Sequence, residues 1–106
     1  MTRLEITEIA RADLKSIRRY SQRAWGTERT DRYMQALRDT MKGLVAGTTV
    51  TRPRDDIRPE LRMAVSGRHC VFLEADHRRV RVLRVLHERM DHPHHLQRDD
   101  GERTDR

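Results

Sequence analysis

His69 and His87 are the side chains in this sequence best suited to moving protons near neutral pH. Cleaving RNA needs one group to accept the 2′-hydroxyl proton and another to protonate the leaving oxygen. Two histidines can supply that pair in principle, but the chain holds 6, so two of them carry little weight alone. Further along, His87, Glu88, Asp91, His92, His94 and His95 crowd together. A zincin needs His-Glu-x-x-His on a helix; here Asp91 stands where the second histidine should be, and Pro93 breaks the helical register. The stretch reads as a polar turn leaving a sheet, with no metal and no cofactor expected.

Arginine punctuates the second half of the chain at Arg58, Arg62, Arg68, Arg78, Arg79, Arg81, Arg84 and Arg89. The guanidinium fork suits phosphates and carboxylates. Without interleaved aromatics these positions make a poor base-stacking platform, which argues against reading single strands. Cys70 lies between apolar neighbours and reads as a small core residue, since a buried thiol keeps a high pKa. Asp55-Asp56 reads as a solvated loop and Trp25 as a loop anchor. There is no glycine-rich phosphate loop and no Ser-His-Asp order, so no complete catalytic set is present.

The elements that must position these residues follow from periodicity. Leu61, Met63 and Val65 alternate with Arg62, Ala64 and Ser66, predicting a strand buried on the Leu-Met-Val face. Ser66-Gly67 signals a tight hairpin. Cys70-Val71-Phe72-Leu73 is apolar throughout, as a central strand should be. After a polar turn at Asp76-His77-Arg78, the segment Val80 to Leu86 gives a third strand. Upstream, Leu4 and Ile6 predict a short first strand. Thr7 is a candidate cap for a helix carrying Ile9, Ala10, Leu14, Ile17 and Ala24, which ends at Gly26. Thr27 is the next candidate cap, for a helix carrying Tyr33, Met34, Leu37, Met41 and Leu44. Gly43 should weaken that helix by ~1 kcal/mol and Gly47 should stop it. Residues 48–56 read as a polar loop. The predicted fold is α+β in the order β-α-α-β-β-β, with an antiparallel helical hairpin packed on a small, mainly antiparallel sheet. Residues 1–96 form one domain, and 97–106 a polar, disordered tail.

With 106 residues the chain suits one small domain. Its formal charge of +6 favours acidic partners. A single cysteine excludes an internal disulfide. No signal peptide or bilayer-spanning run is visible, so a cytoplasmic location without membrane contact is expected.

The segment IRPELRMAVSGRHCVFLEAD, followed by VRVLRVLHERMD and HHL, resembles the C-terminal half of toxins of the RelE/ParE superfamily, closest to the ParE branch. Ala12-Asp13-Leu14, Ile17, Tyr20, Trp25-Gly26, Tyr33 and Leu37 extend the likeness to roughly residues 3–96. One departure is Glu60, where the family's Arg-Pro-Gly-Leu-Arg string commonly has glycine.

The resemblance implies the toxin of a type II toxin–antitoxin module. Such a toxin inhibits DNA gyrase by binding, without covalent chemistry, and is neutralised by a ParD-like antitoxin. Nucleic acid would be met only through these partners. The assigned contacts are Arg58, Arg62, Arg68, His87 and Arg89, with apolar docking at an exposed hairpin edge around Leu14 and Leu37. The alternative is a RelE-like, ribosome-dependent mRNA endonuclease. In those members a C-terminal aromatic is implicated in cleavage, and here that place is taken by Met90. A third alternative is a chain that has lost toxicity and only partners an antitoxin.

Overall fold

The computed structural model describes residues 2–96, so the expected tail at 97–106 lies outside the described residues. Strand β1 (Arg3–Ile6) leads into helices α1 (Glu8–Trp25) and α2 (Thr27–Ala46). Strands β2 (Arg52–Pro53), β3 (Arg62–Ser66), β4 (His69–Ala75) and β5 (Arg79–His87) follow. They form one sheet in the order β1-β5-β4-β3-β2. Only β1 against β5 is parallel. The α+β class and the helical hairpin are as predicted. The two-residue β2 is an addition, because Arg52 and Pro53 pair with Met63 and Arg62 inside the stretch read as loop. No helix among the described residues is long and apolar enough to cross a membrane.

Thr7 caps α1: its hydroxyl accepts from Ala10 N and donates to Leu83 O, which ties the helix start to β5. Thr27 does not cap α2. Gly26 holds that place with φ +85°, and Thr27 is already helical. Helix α2 also runs through Gly43 to Ala46. Glycine is required there because the returning chain packs on it: a Cβ would collide with Thr49 Oγ1. Thr48 N and Thr49 N both donate to Gly43 O.

The sheet is covered on both faces. On one, Ala64, Val71, Val82 and Val85 pack under Ala10, Ile17, Met34, Leu37 and Met41 of the hairpin. On the other, Leu61, Met63, Cys70, Phe72, Leu83 and Leu86 pack with Ile57 and Leu96. The segment 54–61 and a helical segment at 92–96 supply that second cover. This corrects the expected face of β3. Val65 is 58% exposed, whereas Ala64 and Ser66 are buried toward the helices. Period-2 patterning finds one buried face, and here both faces are buried over part of the strand.

Along β4–β5 the pairing steps from Phe72↔Arg84 to Leu73↔Val82, leaving Leu83 as an extra residue. This bulge shifts the alternation by one, so Val82 and Val85 both face the helices.

Candidate functional site

The β3–β4 hairpin builds the better-defined cleft. Gly67 opens its two-residue turn with φ +58°. That residue must be glycine for a second reason: a Cβ would stand 2.6 Å from Tyr33 Cε1. Tyr33, projecting from α2, is thereby locked over the turn. Its hydroxyl accepts from Arg68 N at 2.9 Å and lies 2.6 Å from His69 Nδ1. Ser66 O is farther, at 3.5 Å. The Tyr33 hydroxyl thus bridges the turn amide of Arg68 and the ring of His69. Burial raises the Tyr33 pKa, which keeps the hydroxyl proton in place.

His69 and His87 face each other across the β4–β5 pair, ring centroids 5.3 Å apart and nearly perpendicular. Burial, and then the neighbouring His87 ring, hold His69 below the usual imidazole range. His87 Nδ1 accepts from Arg89 N at 3.1 Å. Trp25 stands edge-on to Tyr33 at 5.5 Å, and Tyr33 edge-on to His69 at 5.6 Å. Four rings thus form a continuous wall. The cleft they bound measures about 500 Å³ and is completed by Ile17, Tyr20 and Met90, with Ser16, Ser21 and Arg68.

A shallower groove of about 310 Å³ runs between the helices and β1. Leu14, Met34 and Met41 line it, and Arg11, Lys15, Arg18 and Arg38 surround it. The two depressions share no lining residue.

The predicted contact residues divide accordingly. Arg68, His87 and Arg89 gather at the His69 end of β4. Arg68 is exposed and pairs with Glu88 at 3.2 Å. Arg89 is exposed, with no side-chain partner among the described residues. Arg62 sits at the other end, opposite Leu73, about 13 Å along the strand. Its guanidinium holds Thr51 Oγ1 and the Thr51 carbonyl. Arg58 is only 12% exposed at its side chain and pairs with Glu74 at 2.7 Å, anchoring the segment before β3. Leu14 is half-buried beside the groove, but Leu37 is 0% exposed, which corrects its expected place on an exposed edge. On α2 it points at the sheet, because the apolar stripe that suggests a docking face is also the core stripe.

Cys70 lies as read, buried, its thiol pKa raised by that burial, and Tyr33 bonds at the helix–sheet boundary. Trp25 stacks under Arg29 at 4.6 Å as well as meeting Tyr33. Sequence reasoning missed the convergence of Tyr20, Trp25, Tyr33 and Met90. Its available signal was the clustering of aromatics near one helix junction in a chain only 4% aromatic.

The chain matches the family model described as the ParE toxin of the type II toxin–antitoxin system parDE over residues 4–92. It is 38% identical over 92 residues to a Toxin ParE of Escherichia coli, covering 86% of this chain and 89% of that one. It is 34% identical over 87 residues to Toxin ParE1 of Caulobacter vibrioides, covering 82% and 90%. A solved structure titled "Chromosomal ParDE TA system from P. aeruginosa" superposes with a TM-score of 0.69 at 23% identity, covering 82% of this chain and 96% of that one, and shares the fold. Family match and relatives agree over nearly the same residues: the chain belongs to the ParE toxins of type II toxin–antitoxin systems.

Proposed function

We propose that this protein is a cytoplasmic toxin that inhibits DNA gyrase by binding it, makes or breaks no covalent bond, and is neutralised by a ParD-like antitoxin. The observation carrying the non-enzymatic part is the proton inventory of the cleft. His69 Nδ1 is engaged by the Tyr33 hydroxyl, and His87 Nδ1 accepts the Arg89 N–H, so His87 turns Nε2–H to the cleft as its remaining polar group. The His87 ring thus presents a donor to the cleft and no base to accept a 2′-hydroxyl proton, and His69 has its Nδ1 tied to Tyr33. Met90 adds no ionisable group. The alternative of a ribosome-dependent endonuclease draws on the same two histidines, but His87 is bonded so that it faces the cleft as a donor.

The groove beside Leu14 fits the antitoxin. An apolar floor within a ring of Arg11, Lys15, Arg18 and Arg38 complements an amphipathic acidic segment that folds as it docks. The toxin's net charge of +6 hastens that encounter. Arg62, Arg68, His87 and Arg89 are assigned to contact with target or antitoxin. Titration calorimetry separates the surfaces. Reversing Arg11 and Lys15 to glutamate is expected to weaken antitoxin binding at least tenfold and to leave gyrase inhibition in place. Undiminished antitoxin affinity would remove the groove from the account.

A further inference from the structure

We propose that the cleft walled by Trp25, Tyr33, His69 and His87 receives one large uncharged side chain of the protein target, whose adjacent main-chain carbonyl accepts from the Nε2–H of His87. This rests on the reading of the chain as a binder of a protein. The size of about 500 Å³ and the mostly apolar lining, with a few polar groups, are those of a specific ligand site. The walls are rigid before binding: Gly67 fixes Tyr33, Tyr33 fixes His69, and each ring rests edge-on against the next. A rigid aromatic pocket loses little freedom when it is filled.

The polar groups select the occupant. Neither Nε2 has a partner among the described residues, and that of His87 carries the ring's proton because its Nδ1 accepts from Arg89 N–H. Arg68, the cation lining the cleft, is already paired with Glu88. In a chain of net charge +6 this is a neutral recess. An uncharged N–H donor matches a peptide carbonyl; a phosphate would demand unpaired cations. Tyr20 and Met90, 65% and 46% exposed, form an apolar rim that a partner would cover.

The test uses the full, nitrogen-15-labelled chain, titrated with N-acetyl-L-phenylalaninamide and, separately, with adenosine monophosphate. Saturable shifts at the Trp25 indole and at the ring nitrogens of His69 and His87 are expected with the amide. The nucleotide should produce none that saturate in the same millimolar range. Ser16→Trp, filling the cleft from an exposed helix position, and Met90→Asp should each abolish the amide response. Both should keep the parent's thermal midpoint and antitoxin affinity while inhibiting gyrase at least tenfold less well. Absence of saturable shifts, or tighter binding of the nucleotide, overturns the proposal. If the parent leaves gyrase untouched, the target assignment fails, and the amide titration still decides the cleft.

Discussion

Arg84 grips Asp13 through Nε at 2.8 Å and Nη2 at 2.9 Å, and Asp13 Oδ2 also accepts the Val85 backbone N–H at 2.9 Å. One carboxylate thus joins α1 to β5 beside the bulge, with both side chains mostly buried, at 13% and 14% exposure. Cutting a pair of this kind leaves a charge in poor solvent. Asp13→Ala is expected to cost about 3 kcal/mol in urea denaturation. A loss within about 0.5 kcal/mol, the range of ordinary surface changes, would show the pair to be ornamental.

Glu60 has φ +67°, and among the described residues no other non-glycine has a positive φ. It closes the turn before β3, where its N–H donates to Asp55 Oδ1 at 2.9 Å. The left-handed region costs an L-residue about 1 kcal/mol. The departure from glycine therefore places an L-residue in a conformation that glycine adopts freely. Glu60→Gly is expected to raise stability by up to about 0.5 kcal/mol, after the added freedom of the unfolded chain is set against the relief. Destabilisation in the same assay would mean that the glutamate side chain holds the turn.

His69 links stability to pH. Its unfolded value lies near 6.5 and its folded value lower, so the native state binds fewer protons between the two. The stability this group contributes is present above pH 6.5 and lost as pH falls toward the folded value. Urea midpoints compared between about pH 7.5 and 5 should fall less steeply for His69→Gln than for the parent. Parallel slopes would mean that the imidazole is not held neutral by burial.

The element order was legible because each helix shows its 3.6-residue stripe and carries glycine at its end. The hairpin at Gly67 was legible for the same kind of reason. The second cover of the sheet was not. Ile57, Leu61 and Leu96 come from a loop and a helical segment too short to show a period, so Val65 was assigned to the core and Ala64 to the surface. The bulge at Leu83 was hidden because a run apolar on both faces has no alternation to break. In the site, residue type alone singles out Arg68, His87 and Arg89, which the fold brings to one end of the sheet and whose part in binding is a proposal. Arg58 and Leu37 are more buried than their residue types suggest, since a sequence shows that a guanidinium or an apolar stripe exists, not that Glu74 or the sheet already occupies it. The tyrosine that locks the cleft required the fold, because it lies 36 residues from its imidazole partner.

The central claim is binding without cleavage, and one paired assay tests it directly. Purified toxin is added to gyrase acting on plasmid DNA and, in parallel, to ribosomes translating a defined message. Loss of supercoiling with transcripts intact, reversed by antitoxin, is the expected result; cut transcripts beside unimpaired supercoiling would contradict it.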